Sequence, residues 1–158
     1  MKKHIIGTVL FIFLILAQNA FAQSGSFGNN LTWKFNGGTL TISGTGEMPD
    51  VISLDNPPWN AHKLNITSVV IENGITAIGR HSFNGYSHTN LQSVTIANTV
   101  TRIGSWAFEN CKALTAVVIP DSVLVLGNSA FSGCSALASV TIGSGLTKIL
   151  GEPSRKAA

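Results

Sequence analysis

Leu91 to Ala113 reads LQSVTIANTVTRIGSWAFENCKA, and Leu114 to Ala136 reads LTAVVIPDSVLVLGNSAFSGCSA. The two align without a gap at a period of 23 residues. Leu91, Leu114 and Leu137 share a column, as do Val94, Val117 and Val140, and Ile96, Ile119 and Ile142. The second half repeats as Val100 with Val123, Ile103 with Leu126, Gly104 with Gly127, and Ala107-Phe108 with Ala130-Phe131. Working outward, an earlier copy starts at Ile66 and runs through Val69, Ile71, Ile75, Ile78-Gly79 and Ser82-Phe83, with two extra residues within Ser87 to Asn90. A final copy starts at Leu137 and stops near Ile149, before its Ala-Phe turn. Self-similarity at a fixed period of this size marks stacked repeats.

The spacing predicts one rung of a β-rich solenoid per copy. In L-x-x-V-x-I the Leu, Val and Ile face inward from a strand. Asn73-Gly74, Asp121-Ser122 and Ser144-Gly145 then supply turn chemistry. A shorter strand, V-x-x-I-G, follows, and its Gly lets backbone pass close to backbone. The Phe of each copy plugs the far side of its rung. One rung cannot bury its apolar face alone; a stack of three complete copies and a partial one can.

The segments L-x-x-V-x-I and V-x-x-I-G-x-x-A-F-x-x-C, seen at Leu91–Cys111 and Leu114–Cys134, resemble the BspA-like family of leucine-rich repeats. The resemblance covers Ile66 to about Ile149, and it implies a short leucine-rich-repeat stack with a surface-binding, adhesin-like role. LTWKF (Leu31–Phe35), GTLTISGTGEMPD (Gly38–Asp50) and PPW (Pro57–Trp59) resemble the module that precedes the repeats in that family. Such modules often carry Cys-Gly-Asp where this chain has Phe27-Gly28-Asn29, so a covalent tie made there elsewhere is absent. On its own terms the module reads as a cap. Leu31, Trp33 and Phe35 alternate with polar residues, as do Leu40 and Ile42, and Asn36-Gly37-Gly38 joins them as a hairpin. Pro57-Pro58 suits the first turn of a short helix carrying Trp59.

Both ends depart from the repeat. Lys2 and Lys3, the apolar run Ile5–Leu16 and Ala20-Phe21-Ala22 have the layout of a secretory signal peptide, with Gln23 as the first mature residue. The run is shorter than the roughly 18–20 residues of a spanning helix, so no permanent membrane span is expected. Beyond Ile149 come Leu150, Gly151-Glu152-Pro153 and a polar tail, either a crude cap with Pro153 blocking strand addition or the cut end of a longer array. The expected organisation is a signal peptide at 1–22, a capping module at 23–65, repeats at 66–150 and a tail at 151–158.

Composition narrows the function. The formal charge of +3 includes Lys2 and Lys3; without them eight basic and seven acidic residues leave +1. The basic residues form no concentrated face, which argues against nucleic-acid binding. Cys111 and Cys134 occupy one repeat column, so they read as small buried hydrophobes in successive rungs, with a disulfide as the alternative. Glu47 and Asp50 lack the alternating oxygen ligands of a calcium loop and read as solvated turn residues. His62, His81 and His88 fit no metal spacing, and His81 and His88 are expected on the surface. No nucleophile elbow, phosphate loop or dinucleotide fingerprint occurs. An enzyme, a cofactor and a metal are therefore not expected.

The outward positions of the first strand are Ser68, Val70, Ser93, Thr95, Ala116, Val118, Ser139 and Thr141, a sheet of small and β-branched side chains without charge. Solenoids bind through such extended faces, and the alternative is a plain outer face with no partner. Trp106 is a further candidate, because its column mates are His81 and Ser129 and exposed Trp is favoured at binding hot spots; the alternative is that it packs against the next rung. The expectation is a secreted, periplasmic or cell-surface module that binds a protein or cell-surface ligand. The alternative is a structural spacer, a subunit of an envelope assembly or a fragment of a longer repeat protein. The final rung, around Leu137–Ile142, would offer an unpaired edge for self-association or for a partner strand.

Overall fold

The computed structural model describes residues 22–52, 57–85 and 90–151. Each copy of the repeat lays one strand in each of two walls. The first wall begins with β1 (Gln23–Phe27), β2 (Leu31–Asn36) and β3 (Thr39–Gly44), and takes one strand per rung thereafter: β5 (Ser68–Ile71), β7 (Ser93–Ile96), β9 (Ala116–Ile119) and β11 (Ser139–Ile142). The second wall is β4 (Gly46–Glu47), β6 (Ile75–Ile78), β8 (Arg102–Ile103), β10 (Val125–Leu126) and β12 (Lys148–Ile149), each parallel to its neighbours.

The strand register is the repeat register. Val69 opposes Val94 and Ile71 opposes Ile96; Val117 opposes Val140 and Ile119 opposes Ile142. In the second wall Ile78, Ile103, Leu126 and Ile149 stand in one column. Pairing across the first step spans 25 residues and across the next two 23, so the two extra residues are absorbed outside the strands. Of Ser87 to Asn90, within which they fall, Ser87 to Thr89 lie outside the described residues. The apolar columns bury their side chains: Val69, Ile71, Ile75, Ile78, Leu91, Val100, Ile103, Leu114, Val117, Ile119 and Val123 all belong to one core.

Gly79, Gly104 and Gly127 end the second-wall strands for a steric reason. A Cβ on any of them would run into the backbone of the preceding turn, at Pro49 O, Arg80 N and Ser105 N respectively. Successive rungs therefore approach there at a distance only glycine allows. The return loop that follows each one carries a residue in the left-handed region, at His81, Trp106 and Ser129 (φ 55°, 56° and 53°). These loops turn the chain inward to deliver the aromatic plug.

The plugs form a continuous spine. Phe83 stacks on Phe108 at 5.3 Å and 13°, and Phe108 stacks on Phe131 at 5.2 Å and 7°. Trp59 extends the spine over Phe83 at 5.6 Å, and Phe27 closes it edge-on over Trp59 at 4.8 Å. Aromatic pairs at these separations add to what burial alone contributes. Phe108 is fully buried, whereas Phe131, which has no plug above it among the described residues, is only half-buried.

The leading module differs from its expected form in three respects. The expected hairpin is present: Asn36 pairs with Thr39, and Gly37 and Gly38 turn between them with φ of 54° and 87°. The helix, however, is a single 3-10 turn at Asn60–His62 with Trp59 at its N-cap. The strand β1 also precedes the hairpin, pairing antiparallel with β2. Lastly, β3 pairs parallel with β5 and β4 with β6, so β3, β4 and Trp59 make a rung in disguise, with Trp59 in the place of a repeat Phe. Of the expected signal segment, 1–22, residues 1–21 lie outside the described residues, and so do residues 152–158 of the tail.

Candidate functional site

Strand pleat decides which side chains leave the core. In β5 the buried residues are Val69 and Ile71, which turns Ser68 and Val70 outward, where both remain half-buried. Ser93, Thr95, Ala116, Val118, Ser139 and Thr141 are exposed, Val118 at 60 % of its surface. Register brings these eight together in two rows. One runs Ser68, Ser93 and, after the step to β9, Ala116 and Ser139; the other runs Val70, Thr95, Val118 and Thr141. Ser93 Oγ donates to Ser68 Oγ at 3.1 Å.

The rows continue further than the repeat alone indicates. Thr39 and Thr41 pair with Ser68 and Val70, and Asn36 and Lys34 pair with Thr39 and Thr41 in turn. Lys34 is the one charged strand residue on this face among those described. The signal was present in the alternation of Thr39 and Thr41 with Leu40 and Ile42, but it lay outside the 23-residue period. At the ends of β5 and β7 the face dips into an open groove of about 520 Å³, lined by Ile71, Glu72, Asn73, Thr95, Ile96, Ala97 and Asn98. Ser43 Oγ donates to Glu72 Oε2 at 2.7 Å, which fixes the carboxylate at the groove's edge.

Trp106 is not part of this face. It sits in the return loop between β8 and β9, half-buried, with its ring stacked on His81 at 5.1 Å and 3°. The Arg80 guanidinium lies 5.0 Å from the ring centroid, a cation–π contact. His81 is accordingly half-buried against an aromatic, and His88 lies outside the described residues. His62 stacks on Phe35 at 4.7 Å within the leading module.

The acidic turn residues tie rungs together. Asp50 Oδ1 accepts from the Arg80 backbone N–H at 2.7 Å, and Glu47 pairs with Arg102 at 2.7 Å in an exposed ion pair. Among the described residues no three His, Cys, Asp or Glu side chains converge as metal ligands, and no helix is long and apolar enough to cross a membrane. Cys111 and Cys134 are free thiols. Cys111 donates to Phe83 O and Cys134 to Phe108 O, each at 3.1 Å. Interaction with the neighbouring Cys134 thiol, then burial, pushes Cys111 up, while interaction with Cys111 draws Cys134 down to about 7.

Residues 61–152, more than half of the chain, match the family described as BspA type leucine rich repeat region, in six copies. No curated protein matches the chain by sequence. Among solved structures, a leucine-rich repeat protein from Eubacterium ventriosum is 27 % identical with a TM-score of 0.57, over 79 % of this chain and 45 % of its own length. The pneumococcal vaccine antigen PcpA is 18 % identical (TM-score 0.49), over 84 % and 40 %. A leucine rich cell surface protein from Faecalibacterium prausnitzii is 22 % identical (TM-score 0.45), over 80 % and 44 %. The chain thus spans less than half the length of each of these three proteins.

Proposed function

Because the chain belongs to the BspA-type leucine-rich repeat family, we propose that it is an exported, non-enzymatic binding module that engages a protein or cell-surface ligand through its outer strand face. The observation that carries the reading is the face itself: two rows of small, uncharged, outward side chains running unbroken in register within β5–β7 and within β9–β11. Val118, 60 % exposed at its centre, is an apolar side chain that the fold does not use. An uncharged surface of this kind is cheap to desolvate, and the groove beside Thr95 gives it relief for a protruding side chain. Export is supported by the segment Lys2 to Ala22, and attachment to host protein, matrix or another cell is the adhesin-like form of the proposal.

The test compares the chain with a Thr95→Lys/Val118→Lys variant on immobilised matrix glycoproteins and intact cells. Both side chains are exposed, so the variant keeps its melting temperature while binding falls at least about tenfold, the effect of burying unpaired charge in an interface. Equal binding by the variant overturns the choice of face. Amino-terminal sequencing of exported material should begin at Gln23; retention of Met1 on a membrane-bound product would refute the export reading.

A second reading, a subunit of a larger assembly, is favoured by the last rung. Val140, Ile142 and Ile149 are 46 %, 53 % and 66 % exposed although Val117, Ile119, Ile78 and Ile103 in the same columns are core, and among the described residues β11 pairs on one side only. A second copy could add its own β11 there. Light scattering over a dilution series, with Val140→Lys as the blocked edge, separates the two readings: a chain that is monomeric at high concentration removes the second.

A further inference from the structure

We propose that Cys111 and Cys134 form an inter-rung disulfide, made by exchange with a small-molecule disulfide of the glutathione type. Two observations carry it, and neither depends on the proposed function. The first is placement. The strands on either side of the cysteines, Ile103 against Leu126 and Val117 against Val140, are paired in parallel one rung apart, with the same 23-residue offset that separates Cys111 from Cys134. Neighbouring strands lie about 4.8 Å apart. That spacing falls inside the roughly 4.4–6.8 Å between Cα atoms that a disulfide requires.

The second observation is orientation. Each Sγ points down the stack, Cys111 donating to Phe83 O and Cys134 to Phe108 O, and the thiols also interact with each other. Bridging them therefore asks for rotation of side chains that already share a column, with no strand displaced. The full sequence contains no other cysteine, so no competing partner exists within the chain.

Accessibility orders the steps. Cys134 is half-buried beside the open rung, while Cys111 is sealed in the core. The Cys134 thiolate attacks one sulfur of the oxidant, forming a mixed disulfide and releasing one thiolate. Its own negative charge, which opposes ionisation of Cys111, is thereby removed. The Cys111 sulfur then attacks the Cys134 sulfur, expels the second small-molecule thiol and gives up its proton to solvent or to that leaving thiolate. Two protein thiols are oxidised and one small-molecule disulfide is reduced to two thiols. The product staples the last complete rung to the one below it, at the end of the stack where packing is thinnest.

The full chain, purified reduced, is incubated at neutral pH in a glutathione redox buffer, quenched by alkylation and weighed whole without reductant. The expected result is the loss of two hydrogen masses, no alkylation of either thiol, and a Cys111–Cys134 linked peptide on digestion. Hydrogen exchange at Ser139–Ile142 should slow on oxidation. A Cys111→Ser variant should instead stop at one stable glutathione adduct on Cys134. Two alkylatable thiols, a stable adduct on the unmutated chain, or covalent dimers would each overturn the proposal, and these readings on the unmutated chain stand whether or not the variant folds.

Discussion

Replacing Phe108 with Ala empties the middle of the aromatic spine. The ring is fully buried and sandwiched between Phe83 at 5.3 Å and Phe131 at 5.2 Å, so each of those rings loses a stacking partner. Truncation of a buried Phe costs about 3–5 kcal/mol through lost transfer energy and the cavity left behind. For a domain of this size each kcal/mol shifts the melting temperature by about 4 °C, so a fall of about 12–20 °C is expected. Phe131→Ala is the internal control. Its ring is half-buried and stacked on one face only, so about half that cost is expected. Circular-dichroism melts of the parent and both variants measure the difference. Equal losses would mean that something covers the last rung, and a loss below about 1 kcal/mol for Phe108→Ala would refute the spine as the core of the stack.

Two further outcomes follow from close contacts. Gly104→Ala puts a Cβ 2.7 Å from Arg80 N and 2.9 Å from Ile78 O, backbone atoms that cannot step aside, so a loss of about 1–3 kcal/mol is expected in denaturant titration, and a neutral result would show that the rungs can separate there. For the thiols under reducing conditions, alkylation of Cys134 should persist as pH falls and reach half its maximum at about 7, because interaction with Cys111 favours the thiolate. An ordinary exposed thiol loses reactivity nearer pH 8.5, and Cys111 should not react across that range. A Cys134 midpoint at the ordinary value would show that the two thiols do not interact.

The period made most of the fold legible. Once Val94, Val117 and Val140 share a column, strand position, strand register and the outward rows follow, because a side-chain alternation of two admits only one set to the core. The parts that escaped it have no period to declare them. QSGSF at β1 carries one apolar residue, Phe27; it becomes a strand because the edge of β2 is there to pair with, and because Gly25 leaves room for the Trp33 indole, whose Nε1 a Cβ would meet at 2.7 Å. Trp59 reads as a helix residue beside Pro57-Pro58, yet its place in the spine is set by the ring of Phe83 above it. At the candidate site, the eight outward residues were readable from the pleat. The position of Trp106 was not, since a left-handed turn at φ 56°, rather than strand alternation, decides where its ring goes.

The two ends of the stack differ in kind, and the difference bears on the binding face. Rungs in a solenoid are stabilised by their neighbours, so each interior rung has two contributions and a terminal rung one. At the leading end the missing neighbour is replaced by Trp59, Phe27 and the hairpin, which keep Leu40, Ile42 and Met48 buried. At the other end nothing among the described residues replaces it, and every residue of β11 and β12 is exposed. Stability should therefore decline from β3 toward β11. The outer rows cross that gradient: Ser68 and Val70 stand on a supported rung, and Ser139 and Thr141 on the weakest one. A ligand running the length of both rows would end on the rung with one neighbour, which leaves Thr95 and Val118, on rungs packed from both sides, as the anchors.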